Sequence, residues 1–353
     1  AYVGYIKLGN FLNLENSGAL GITVNSTNLE NIDPTQNNSI TVANISFVAE
    51  NREKISQITG LGVENTADNG NYIGALFGEI ISGDITITNF STSVPDEETA
   101  SFELDSANSA GLIAGRMSGG TITIDSDDNA NVEWHVKFGQ INYAGGLIGQ
   151  MSSGTINGGN TIINLHAGDE DIAVKMLGGL VGQTIEPTSE STVTSSAGIN
   201  EVIISPSISE TNTLYINSFG GLIGEANGGS VTIDNCSIAS SEVTNIVAKA
   251  QTGEGNNQTI ESYFGLLVAK LVKGNVTISG FSHGGNNDEI IIDVEEVLSD
   301  ESIESNSGYG VLVGKMLAGT IEASLGSEDG NNDSINTKLT VNGYNVGGII
   351  GAY

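Results

Sequence analysis

A short glycine-bracketed aliphatic motif occurs eight times along the chain, and it constrains the fold more than any other feature. Gly74-Ala-Leu-Phe-Gly78 reappears as Gly111-Leu-Ile-Ala-Gly115, Gly145-Gly-Leu-Ile-Gly149, Gly178-Gly-Leu-Val-Gly182 and Gly220-Gly-Leu-Ile-Gly224. It returns again as Gly265-Leu-Leu-Val-Ala269, Gly310-Val-Leu-Val-Gly314 and Gly347-Gly-Ile-Ile-Gly351. Successive first glycines are 37, 34, 33, 42, 45, 45 and 37 residues apart. A unit of 33 to 45 residues cannot bury its apolar residues alone, whereas units stacked on one another can.

Each position of the unit has a physical reading. The motif reads as a strand that is apolar on both sides. Leu76, Ile113, Leu147, Leu180, Leu222, Leu267, Leu312 and Ile349 fill one side. Phe77, Ala114, Ile148, Val181, Ile223, Val268, Val313 and Ile350 fill the other. A strand dry on both faces gives such a continuous apolar run. The next residue is polar in seven copies (Glu79, Arg116, Gln150, Gln183, Glu225, Lys270 and Lys315), which predicts that the outer face returns to water there. The bracketing glycines lack a Cβ, so they predict close approach of a second layer; their other use is to bend the chain at a corner.

Another glycine follows five residues after the closing position, at Gly83, Gly120, Gly154, Gly229, Gly274 and Gly319. It predicts a turn that needs positive φ. Pro187 occupies the position in the fourth copy and cannot supply that φ. A strand with clean alternation comes next, as in Thr121-Ile-Thr-Ile124, with isoleucines inward and threonines outward. The spacers hold further strands at 131–138, 171–176, 202–204 and 289–294; Asp288 to Asp300 is the best helix candidate, but Ile290, Ile291 and Ile292 favour a strand.

Stacking such units predicts an all-β fold, a β-solenoid of about eight to nine coils of 33–45 residues. A β-propeller is the alternative, because its period overlaps, but four strands per blade fit poorly into 33 or 34 residues. Residues 1–70 carry only degenerate traces, such as Val3-Gly-Tyr-Ile6 and Gly21-Ile-Thr-Val24. Residues 71–353 hold the eight copies, continuous with that region, the last copy being incomplete.

Composition narrows the partners. The chain has 11 Lys plus Arg against 42 Asp plus Glu, a formal net charge of −31, and only two arginines, Arg52 and Arg116. Such a chain cannot neutralise phosphates, which argues against nucleic acid and anionic membrane surfaces as partners. No apolar run approaches the ~20 residues that span a bilayer, so no membrane insertion is expected of this segment. Cys236 is the only cysteine, which excludes an internal disulfide and a cysteine-based metal site. An acidic chain rich in Gly, Asn, Ser and Thr, and poor in Lys and Cys, predicts an extracellular or cell-surface setting.

The pattern resembles the GLUG repeat family, whose core is Gly-Leu-hydrophobic-Gly. The likeness is best at Gly146-Leu-Ile-Gly149, Gly179-Leu-Val-Gly182 and Gly221-Leu-Ile-Gly224, and looser at Gly265 to Ala269, where the closing glycine is lost. It covers roughly residues 72 to 353. The resemblance implies a repeat-built β structure of the kind found in large bacterial surface proteins, adhesins and the non-catalytic regions of secreted peptidases.

Candidate chemistry is sparse. His135, His166 and His283 fall in no metal-binding spacing, and Cys236 has no visible histidine partner that would make it a nucleophile. Acidic loops carry the one possible cofactor, Ca²⁺: Asp125, Asp127 and Asp128; Asp169, Glu170 and Asp171; and Glu328, Asp329 and Asp333. Neither the EF-hand spacing nor the RTX nonapeptide is present, and solvated loops that keep the chain soluble are the simpler reading. β-Helix enzymes acting on polysaccharides need convergent carboxylates and aromatic platforms. This chain has one Trp, Trp134, and no carboxylate recurring at matched positions, so no enzymatic activity and no catalytic residue are expected. The expected role is a structural segment of a surface fibre, filament or stalk, with other copies of itself as partners. A monomeric binding module or spacer, with a cell-surface or glycan ligand, is the alternative.

Overall fold

The computed structural model describes residues 21–25, 39–43, 57–59, 72–74, 77–80, 84–88, 102–105, 107–125, 133–166, 174–186, 196–205, 217–238, 244–249, 259–260, 262–283, 290–295, 304–305, 307–325, 337–342 and 346–352. They form an all-β architecture of parallel strands in stacked sheets, an arrangement compatible with a β-solenoid.

One sheet takes a single short strand from each motif copy. Tyr72–Gly74, Ala107–Gly111, Ile141–Gly145, Met176–Gly178, Phe219–Gly220, Tyr263–Gly265, Gly308–Gly310 and Val346–Gly347 lie side by side in chain order, eight strands all parallel. The register sets first glycine on first glycine: Gly74 on Gly111, Gly111 on Gly145, Gly145 on Gly178, Gly178 on Gly220 and Gly220 on Gly265.

The motif itself is not the single straight strand expected from its apolar run. The chain bends at Gly146-Leu147, and a second strand starts at Ile148 in a different sheet. The same break separates Ala107–Gly111 from Ala114–Met117 and Met176–Gly178 from Val181–Ile185. The bend keeps its main-chain bonding between copies. The Leu147 amide donates to the Leu180 carbonyl at 3.0 Å, Leu180 to Leu222 at 2.9 Å, Leu222 to Leu267 at 3.1 Å and Leu267 to Leu312 at 2.9 Å. Leu147, Leu180, Leu222 and Leu267 are fully buried in these corners. An apolar residue in a bend still fills the core, which is why hydropathy alone reads the run as one strand.

The strands after the bend belong to a 19-stranded sheet, within which Phe77–Ile80, Ala114–Met117, Ile148–Met151 and Val181–Ile185 pair in parallel. The sheet continues into the alternating strands because long strands turn corners without losing their pairing; Val268–His283 has 16 residues. Glycines make those corners: Gly120 at φ 92°, Gly154 at 116°, Gly229 at 74°, Gly274 at 104° and Gly319 at 96°. Pro187 lies outside the described residues. Beyond the corner, Ile122 pairs with Ile85 and Ile156, and Ile199 with Ile156 and Ile233, so isoleucines stand in one column across the strands, with Ile85, Ile122, Ile156 and Ile233 buried. Thr121, Thr123 and Thr155 stay half-exposed on the other face.

Spacer strands stack by the same rule. Thr244–Lys249, Ile290–Glu295 and Thr337–Asn342 form a parallel three-stranded sheet, so Ile290, Ile291 and Ile292 are in a strand, not a helix. In the degenerate N-terminal region, Ser39–Ala43 extends the isoleucine ladder by pairing in parallel with Asp84–Thr88. Gly21–Asn25 pairs antiparallel with Ser39–Ala43, reversing the direction seen between motif copies. Parallel neighbours drawn from successive copies, eight deep, replace the separate antiparallel blades that a propeller requires.

Candidate functional site

An arrangement of side chains and backbone that recurs from copy to copy is the seam between the two strands of the motif. Its glycines do two jobs at once, packing as well as bending. A Cβ on Gly111 would lie 2.6 Å from the Gly149 amide nitrogen, on Gly145 2.5 Å from that of Gly182, and on Gly178 2.5 Å from that of Gly224. The same holds for Gly220 against Ala269 at 2.6 Å, Gly265 against Gly314 at 2.7 Å and Gly310 against Gly351 at 2.6 Å. In six copies the first glycine therefore carries the closing residue of the next. Closing residues press on the preceding copy in turn: a Cβ on Gly149 would lie 2.6 Å from the Ala110 nitrogen, and on Gly182 2.8 Å from that of Ala144. Gly74, Gly115, Gly224 and Gly351 likewise face backbone or side chains nearer than a Cβ can approach. Gly78 is buried in the strand Phe77–Ile80, and Gly347 faces the Ile350 carbonyl.

In three of the seven copies the polar residue after the closing position does not return to water, while Glu79, Arg116, Lys270 and Lys315 stay partly exposed. Gln150, Gln183 and Glu225 are 8%, 5% and 6% exposed, and they form a row inside the seam. Cα pairing runs Glu79, Arg116, Gln150, Gln183, Glu225, Lys270, Lys315 and then Ala352. Gln150 Nε2 donates to Gln183 Oε1 at 2.6 Å, and Gln183 Nε2 donates to Glu225 Oε1 at 2.8 Å. Lys270 Nζ lies 3.5 Å from Glu225 Oε2, and Arg116 Nη1 lies 3.6 Å from Glu79 Oε1. Gln150, Gln183, Glu225 and Lys270 thus partner one another across four successive copies, whereas Arg116 Nε is buried without a partner.

Tyrosines two residues before the first glycine cover this row. Arg116 Nη1 donates to Tyr72 Oη at 3.2 Å, and its Cζ sits 5.2 Å from the Tyr72 ring centroid. Lys270 and Lys315 place their ammonium groups 5.0 and 5.5 Å from the Tyr263 ring centroid. Tyr143 is pushed up to about 12, chiefly by burial and then by the negative charge of Glu225, while a hydrogen bond with Gln183 opposes the rise. One residue earlier, Asn142 Nδ2 donates to Asn108 Oδ1 at 3.0 Å. The sequence reading missed both the tyrosines and the asparagines. Their signal is a fixed offset: Asn71-Tyr-Ile-Gly74, Asn108-Ser-Ala-Gly111, Asn142-Tyr-Ala-Gly145 and Asn217-Ser-Phe-Gly220.

The remaining candidates do not converge. His135 pairs with Asn164, His166 with Lys137 and His283 with Ile238 at backbone level. Cys236 is buried in the core, its Sγ donating weakly to the Asp234 carbonyl at 3.4 Å. Asp125 ends the strand Thr121–Asp125; Asp127, Asp128, Asp169, Glu170, Asp171, Glu328, Asp329 and Asp333 lie outside the described residues. Among the described residues, no three His, Cys, Asp or Glu side chains group in a way that could hold a metal ion. Among them, too, no helix is long and apolar enough to cross a membrane. Comparison of the chain with protein-family models, with curated proteins and with solved structures finds no match in any of the three.

Proposed function

We propose that this chain is a non-enzymatic structural protein, a β-solenoid segment of an extracellular fibre, filament or stalk that extends by β stacking. The observation that carries the reading is the eight-stranded parallel sheet, to which each motif copy gives one strand in chain order. A body built this way is held together by main-chain hydrogen bonds along its axis, the direction in which a stalk bears load. The resemblance to GLUG repeats of surface proteins and the net charge of −31, which keeps the sides of a rod soluble, point the same way.

A second reading is a monomeric spacer or binding module with a cell-surface or glycan ligand. Electron microscopy of the purified protein over a concentration series separates the two. End-to-end strings that lengthen with concentration are expected for the filament, at about 4.8 Å of rise per copy. Single particles of constant size at every concentration would overturn it in favour of the spacer.

A further inference from the structure

We infer that the row Gln150–Gln183–Glu225–Lys270 is a neighbour-order lock, which fixes the copy carrying Glu225 between the glutamine-bearing copies and the one carrying Lys270. The need for such a device follows from the repeat. Leu147, Leu180, Leu222 and Leu267 are one residue type in one environment, and so are the glycines Gly145, Gly178 and Gly220. Their packing does not distinguish the adjacent copy from the one beyond it. A chain that looped out one copy while folding would still set leucine on leucine and glycine on glycine.

The polar row distinguishes them. Its hydrogen bonds have direction: Gln150 donates to Gln183, Gln183 donates to Glu225, and Lys270 meets Glu225 from the other side. Glu225 accepts only, so donors converge on it from both neighbours. Setting the strand Val181–Ile185 directly on Val268–His283 removes Glu225 from between its donors and leaves the half-buried Lys270 ammonium without its carboxylate. Gln150, Gln183 and Glu225 are buried, so water does not substitute for a partner lost at these three. The chain also places three of its 11 basic residues, Arg116, Lys270 and Lys315, in this one row. Buried polar groups that lower stability yet fix register are a known use of such pairs.

The test replaces the row with apolar residues of similar volume in the full chain: Gln150→Leu, Gln183→Leu, Glu225→Leu and Lys270→Met together. Parent and variant are unfolded in urea, refolded, and read by hydrogen–deuterium exchange with mass spectrometry over 181–185, 223–234 and 268–283. The parent is expected to refold to one exchange population. The variant is expected to keep or raise its urea midpoint while splitting into more than one population. A single population in the variant, or a mixture in the parent, overturns the inference. Should the apolar variant not fold, Glu225→Lys is compared with the double variant Glu225→Lys/Lys270→Glu. The single change is expected to give a mixture, because three ammonium groups then adjoin. The second change restores one population by setting a carboxylate between the ammonium introduced at position 225 and that of Lys315, and failure to restore it overturns the inference. These measurements read contacts within one molecule, so their outcome does not depend on whether molecules stack end to end.

Discussion

Gly145 lies against Gly182 so closely that a single added Cβ would stand 2.5 Å from the Gly182 amide nitrogen. The contact joins the end of one strand in one copy to the middle of another strand in the next. Two backbones meet there with no side chain between them, and the obstacle to a Cβ is main chain, which cannot swing aside.

Gly145→Ala is therefore expected to destabilise the fold by about 3 kcal/mol, the upper part of the range for overpacking a rigid interior. Gly348→Ala places the same methyl group where nothing lies within 4 Å, and is expected to change stability by no more than about 0.5 kcal/mol. Urea unfolding of the two variants beside the parent checks the contrast. Equal effects would show that loss of glycine flexibility, not backbone contact, sets the cost.

The corner glycines differ among themselves. Gly274 has φ 104° and faces the Gly229 carbonyl at 2.7 Å, whereas Gly229 has φ 74° and its nearest neighbour is the Ile185 carbonyl at 3.5 Å. Asn tolerates the left-handed region near φ +60° better than other non-glycine residues. Gly229→Asn is thus expected to cost under about 1 kcal/mol, and Gly274→Asn more than about 2 kcal/mol. Thermal melts of both variants read the difference.

Tyr143 reports the interior of the seam. Its proton is held more tightly in the folded protein than in the unfolded chain, because burial and then Glu225 disfavour the phenolate. The resulting stability is fully present below the ordinary tyrosine value of 10.0 and is lost as pH rises toward about 12. Ultraviolet titration is expected to lose a late-ionising component in Tyr143→Phe. Glu225→Gln removes the charge and is expected to lower that late value, leaving the burial effect.

What the sequence made legible was whatever repeats and is simple. The first glycines, the isoleucine column through Ile122 and Ile156, and the positive φ of Gly120 and Gly154 follow from period, alternation and the absence of a Cβ. The bend at Gly146-Leu147 was hidden, because an apolar residue is needed there whether the chain runs straight or turns. Burial of Gln150, Gln183 and Glu225 was hidden for a different reason. A polar residue after an apolar run reads as an outer face, and only the neighbouring strands that carry Tyr72, Tyr143 and Tyr263 reverse that reading. Ser39-Ile-Thr-Val42 joins the isoleucine ladder without a glycine motif to announce it. The acidic loops proposed for Ca²⁺ fall, apart from Asp125, outside the described residues.

Distances measured along one column decide most directly whether the copies are piled in order. Thr121 pairs with Thr155, Thr155 with Gly198, Gly198 with Thr232, Thr232 with Thr277 and Thr277 with Glu322. Spin labels on cysteines placed at Thr121 and at Thr232, Thr277 or Glu322, with Cys236 replaced by Ala, sample separations of three, four and five copies. Double electron–electron resonance is expected to give mean distances that grow by about 4.8 Å per copy, near 14, 19 and 24 Å between backbones. Distances that level off or shorten as copies are added would place the units around a ring or in separate bodies, and would contradict the stacked parallel arrangement.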